Sequence, residues 1–113
     1  MKEFRKYSKI STKLLNTIFK RFKEIENFDS IQVLAHNTDY GVQVQVGFLT
    51  KKPFGSELSE KFGNKELKKE IKNYLDMLWI DNYSLSVNTV TKDIWEEKYL
   101  PWAEQKWLED NLD

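Results

Sequence analysis

Apolar and polar residues alternate with a period of two along residues 31–50, IQVLAHNTDYGVQVQVGFLT, and the segments on either side change to a period of three and four. A period of two sends successive side chains to opposite faces of a strand, so Val42, Val44, Val46 and Phe48 share one face and Gln43, Gln45, Gly47 and Leu49 the other. Upstream, Ile31, Val33 and Ala35 alternate in the same way with Gln32, Leu34 and His36. Between the two runs, Asn37, Thr38, Asp39, Tyr40 and Gly41 have the chemistry of a short hairpin loop, so the runs are expected to pair antiparallel. A third strand is expected where Tyr83, Leu85 and Val87 alternate with Ser84, Ser86 and Asn88.

Over residues 4–25 the apolar set Phe4, Tyr7, Leu14, Leu15, Ile18, Phe19, Phe22 and Ile25 recurs at three and four and fills about half of a helical wheel. Lys2, Lys6, Lys9, Lys13, Lys20 and Lys23, with Arg5, fall on the opposite side; Ser8 or Ser11 could cap a shorter helix. After the hairpin, Pro53 and Gly55 end the strand and leave Phe54 in a connection, expected to tuck under it. Residues 56–62 could form one helical turn capped by Ser56 and stopped by Gly63, and Asn64 then caps a longer helix with Leu67, Ile71, Tyr74, Leu75 and Leu78 as its buried stripe. A turn at Asp81 and Asn82 leads into the third strand. Asp93 with Glu96 has capping-box spacing, so a last helix is expected to start there, to kink or break near Tyr99 and Leu100, and to resume at Pro101 as far as about Leu112.

These elements predict one α+β domain over residues 1–113: a three-stranded, mostly antiparallel sheet with helices packed on it, in the order α-β-β-α-β-α. The favoured strand order is two-one-three, wholly antiparallel; placing strand three beside strand two needs a right-handed crossover instead.

Charge changes the picture by its distribution rather than its sum. Basic and acidic residues both number 18, so no net field favours nucleic acid or an anionic membrane. Residues 1–28 nevertheless carry a net +5 and residues 73–113 a net −6. The chain has no cysteine, which excludes disulfides and thiolate metal sites and fits a reducing cytoplasm. It opens without a signal-peptide core, and no apolar run approaches the length of a membrane span, so the expected location is cytoplasmic. Sixteen lysines against two arginines, with many Asn and Ile, fit AT-rich coding and suggest a low-GC bacterium or its phage.

Candidate chemistry is sparse. His36 is the sole histidine, with Asp39 three residues on; no second histidine or nucleophile joins them, and the glycines match neither a phosphate loop nor a dinucleotide fingerprint. No catalytic residue, cofactor or metal is therefore expected. All four tryptophans lie in the last 35 residues, among Glu96, Glu97, Glu104, Glu109 and Asp110. Trp95, Tyr99 and Trp102 fall on one helix face and read as core, whereas Trp107 points elsewhere and reads as an exposed anchor. The sheet's back, with Gln32, Leu34, His36, Gln43, Gln45, Leu49, Ser84, Ser86 and Asn88, has no formal charge and is expected to be covered, by the last helix or by another molecule.

The expectation is a small non-enzymatic protein-binding module that occludes a partner protein with a basic surface, a homodimer being a further option. Its partner-binding residues would be Trp107, Trp102, Glu104, Glu109, Asp110, Gln43, Gln45 and His36. In type alone, with no residue mapped, the profile resembles small inhibitors of the toxin-immunity or phage counter-defence kind. The alternative is nucleic-acid binding through the lysine faces of the first two long helices, using Lys9, Lys13 and Lys20 together with Lys65, Lys68, Lys69 and Lys72.

Overall fold

A computed structural model describes residues 3–79 and 82–110. Lys2, the turn at Asp81 and the helix end expected at Leu112 lie outside them. In chain order the elements are helix α1 (Phe4–Ile18), a 3-10 stretch (Lys20–Glu24), strands β1 (Phe28–Thr38) and β2 (Gly41–Thr50), helices α2 (Ser56–Phe62) and α3 (Lys65–Leu75), and strand β3 (Tyr83–Thr91). Helix α4 closes the chain in three consecutive pieces, Lys92–Ile94, a π-helical turn Trp95–Tyr99, and Leu100–Asp110.

The architecture is α+β, with helices on a three-stranded sheet, but the sheet is mixed, and the helical turn expected over residues 56–62 forms as α2, giving the order α-β-β-α-α-β-α, with Gly55 rather than Ser56 at its N-cap. Its strand order is β1-β2-β3: β1 and β2 pair antiparallel, while β3 lies parallel to β2 from Val42 opposite Tyr83 to Thr50 opposite Thr91. The favoured two-one-three order is therefore overturned. The physical reason lies at the far edge of β1, which α1 occupies. Ser8, Thr12 and Asn16 stand one turn apart on α1 and bond to Ala35, Val33 and Ile31, which are spaced by two along β1. Four helix residues advance about 6 Å and two strand residues about 6.7 Å, so the two ladders stay nearly in step over three rungs. Asn16 accepts from the Ile31 N–H (3.0 Å) and donates to its carbonyl (2.6 Å), Thr12 Oγ1 accepts from the Val33 N–H (2.9 Å) and Ser8 Oγ from the Ala35 N–H (2.8 Å). With that edge satisfied by side chains, β3 has only β2 to join.

The face bearing Val42, Val44, Val46 and Phe48 carries the main core, as the alternation predicts. Val44, Val46, Phe48, Ile31, Phe62, Ile71 and Leu75 are fully buried there, and the rings of Phe48 and Phe62 stack at 4.6 Å. Asn64 caps α3 as expected, its Oδ1 accepting from the N–H groups of Glu66 (2.7 Å) and Leu67 (3.3 Å). Phe54 is half-buried in its connection.

Four further local expectations change. The first helix stops at Ile18 rather than continuing to Ile25, tightening into the 3-10 stretch that brings Phe19 and Phe22 together at 5.5 Å. Ser8 and Ser11 are buried inside α1 and cap nothing. The hairpin turns more tightly than a five-residue loop: Thr38 Oγ1 accepts from the Tyr40 N–H (3.1 Å) and donates to the Gly41 carbonyl (2.7 Å), and Gly41 takes a φ of 114° that a side chain would oppose. Lastly, Thr91 rather than Asp93 caps α4, and Pro101 does not break it. The chain passes the proline through the π turn, in which the Leu100 N–H reaches back five residues to the Trp95 carbonyl, next to the position where Pro101 has no N–H to offer.

Candidate functional site

Helix α4 lies against the uncharged back of the sheet. Its anchor is Trp95, fully buried, whose Nε1–H donates to Gln32 Oε1 at 2.9 Å and whose ring stacks on Tyr99 at 4.9 Å. Beneath it is Gly47, where an added Cβ would fall 2.4 Å from the indole; the missing side chain is what lets the ring lie flat on β2. Ala103, fully buried, keeps the helix close, and Trp107 donates its Nε1–H to the Ala35 carbonyl at 2.8 Å. That bond completes the outer edge of β1, so both helices that flank the strand contribute to capping it.

His36, the lone imidazole, is fully buried beneath α4. Trp102 meets it edge-on at 4.3 Å. Its Nδ1 faces the Asn37 carbonyl at 3.2 Å and so carries the proton, leaving Nε2 to accept from Gln45 Nε2 at 3.3 Å. Burial holds this imidazole below its ordinary 6.5 and nearby Lys106 adds to the effect, while the bond to Asn37 and the charge of Asp110 oppose it. Asp39 stands exposed in the hairpin turn, apart from this network, so the two residues do not assemble a base with an orienting carboxylate. No group of three or more His, Asp or Glu among the described residues could hold a metal ion, and no described helix is long and apolar enough to cross a membrane.

The structure divides the expected partner-binding residues into two sets. Gln43, Gln45 and His36 lie inside the molecule's own polar network, with Gln43 donating to Ser86 Oγ at 2.8 Å. Trp107 is half-buried with its N–H satisfied, which corrects its reading as the exposed anchor, and Asp110 is half-buried as well. Trp102, expected in the core, is 43% exposed. Glu104 and Glu109 are exposed on the same helix, as are Glu96 and Glu97, and Leu108 stands 62% exposed beside them. Leu108 is absent from the sequence-derived set. Its position one residue beyond Trp107 on a helix whose inner stripe is Ala103 and Trp107 was the signal that it faces outward.

Between α4 and α1 runs a shallow groove formed by two adjoining cavities of about 720 and 430 Å³. Arg5 and Lys9 of α1 stand along one side and Glu104 of α4 on the other, and Leu100, Trp107 and the exposed Leu108 line it as well. The lips differ in sign, so the groove presents no single-signed field. Comparison with family models, curated proteins and solved structures returned no match for this chain.

Proposed function

We propose that this chain is a small non-enzymatic protein-binding module of inhibitor type that occludes a basic partner surface through the outer face of α4. One observation carries the reading: Trp102 and Leu108 are large and exposed on a helix whose other outward positions include Glu96, Glu97, Glu104 and Glu109. Exposed apolar anchors set among carboxylates gain affinity from burial and selectivity from charge; Lys98 and Lys106, the latter 5.9 Å from the Trp102 ring, are the basic residues among them. Trp95, Ala103 and Trp107, on the other side of α4, hold it against the sheet. A cytoplasmic setting fits a chain without cysteine.

Nucleic-acid binding has one feature in its favour, the exposure of Lys9, Lys13 and Lys20 on α1 and the following 3-10 stretch. Against it, the Arg21 guanidinium lies over the rings of Phe19 and Phe22, at 5.1 and 4.8 Å, which leaves Arg5 as the other arginine for reading bases.

The test is affinity capture from host lysate with the native chain, with Trp102→Ala/Leu108→Ala and with Glu104→Lys/Glu109→Lys, each checked for folding by circular dichroism. A captured protein should be lost with both variants, each weakening it by at least about 1 kcal/mol. Undiminished capture by both variants would discard the α4 face, and capture of nucleic acid lost on reversing Lys9, Lys13 and Lys20 would favour the second reading.

A further inference from the structure

The two edges of the sheet are treated differently. The outer N–H and C=O groups of β1 at Ile31, Val33 and Ala35 are bonded to Asn16, Thr12, Ser8 and Trp107. Strand β3 pairs on one side with β2, and among the described residues no side chain or backbone group bonds to its other edge. All nine of its residues retain solvent exposure, whereas the middle strand is mostly buried. Natural sheets protect such an edge with charge, proline, a bulge or a covering helix; α2 approaches β3 but, among the described residues, bonds to none of its backbone groups. The sequence YSLSVNTVT has no charge and no proline, and its register with β2 is unbroken.

We propose that the free edge of β3 pairs antiparallel with β3 of a second copy about a twofold axis, joining two three-stranded sheets into one of six strands. The strand is complementary to itself. Centring the axis on Val87, the middle of the nine residues, sets Ser86 opposite Asn88, Leu85 opposite Thr89, Ser84 opposite Val90 and Tyr83 opposite Thr91. Every pair keeps its face: Tyr83, Leu85 and Val87 pack toward the main core, so the apolar row of one copy continues into the other. No like charges meet, because the strand contains none, and the chain's zero formal charge leaves no net repulsion between copies. An uncharged strand likewise offers a charged peptide no complementary partner, which favours self-association over capture of an acidic or basic segment. This surface is separate from the outer face of α4, and variants of that face should leave the association unchanged.

Sedimentation equilibrium of the full chain, at concentrations up to about 1 mM, tests the pairing. The expected mass is twice 13.5 kDa at the upper end. Ser86→Lys/Asn88→Lys, which sets lysines opposite each other across the axis, should weaken association by at least about tenfold while keeping the native circular dichroism. Mixing it with Ser86→Glu/Asn88→Glu should restore a dimer. Amide exchange gives an independent reading: outward β3 amides should gain protection as concentration rises, while those of Ile31, Val33 and Ala35 stay protected throughout. A monomer mass at every concentration, a folded lysine variant that stays dimeric, or oppositely charged variants that ignore one another would each overturn the proposal.

Discussion

Gly47 and Trp95 meet where the last helix touches the sheet, and the contact leaves no room for one methyl group. Because the Cβ of Gly47→Ala would fall 2.4 Å from a fully buried indole, that substitution should destabilise the fold by roughly 1–3 kcal/mol in urea titration. His36 makes a second prediction, on pH. Its folded pKa is lowered by burial, so the unfolded chain binds the proton more readily. The stability that depends on a neutral His36 is present above about pH 6.5 and falls as pH drops from there toward the folded value. His36→Gln should flatten that part of a plot of melting temperature against pH; an unchanged slope would remove His36 as its cause. Trp107 and Trp102 separate cleanly. Trp107→Phe leaves the Ala35 carbonyl without its donor and should cost about 1–3 kcal/mol, whereas Trp102→Phe keeps a ring against His36 and should leave stability nearly unchanged. The alternation of Val42, Val44 and Val46 was legible to a reader of the chain because it depends only on neighbours; which indole faces water was not, because the π turn shifts everything after Tyr99 around the helix axis.

At the scale of elements, α1 acts as a cap for a strand edge as much as a cover for a core. Asn16→Ala leaves both the N–H and the C=O of Ile31 without their side-chain partner, so it should cost about 1–3 kcal/mol and speed exchange of the Ile31 amide. The run Ser8, Thr12, Asn16 was visible at helical spacing, but nothing local says that three small polar residues in a row address a strand rather than solvent. The same strand edge decided the topology. An expectation of pairing beside β1 weighs only the ease of antiparallel contact, and it fails because α1 already holds that edge. At the start of β3 a smaller lock operates: the Tyr83 hydroxyl donates to Asp76 Oδ1 at 2.6 Å and the Lys72 ammonium bonds to the same oxygen at 3.1 Å. The bond from Tyr83, then that from Lys72, holds the Asp76 carboxyl below its ordinary range, while burial and Asp76 push the Tyr83 phenol upward.

For the whole molecule, two apolar layers share one sheet. Phe48 is fully buried on the side of α2 and α3, and Trp95 on the side of α4. If the layers depend on each other through the strands between them, Phe48→Ala should cost about 3–5 kcal/mol and lower the fluorescence and circular dichroism transitions together; separated transitions would mean that α4 detaches first. The segregation of charge, basic toward the N-terminus and acidic toward the C-terminus, has a counterpart in space: the lips of the groove between α1 and α4 carry Arg5 and Lys9 against Glu104.

Period-two and period-three-to-four patterns alone determined the strands, the helices and the face that becomes the main core, since each reflects how a backbone of fixed geometry presents neighbouring side chains to water. The parallel placement of β3, the capping of β1 by Ser8, Thr12, Asn16 and Trp107, and the closure of α4 over the glutamine face were decided only in three dimensions. Those features join residues up to 72 positions apart, and an unsatisfied N–H or carbonyl on a buried strand takes its partner from whatever the fold brings near, which no local pattern encodes.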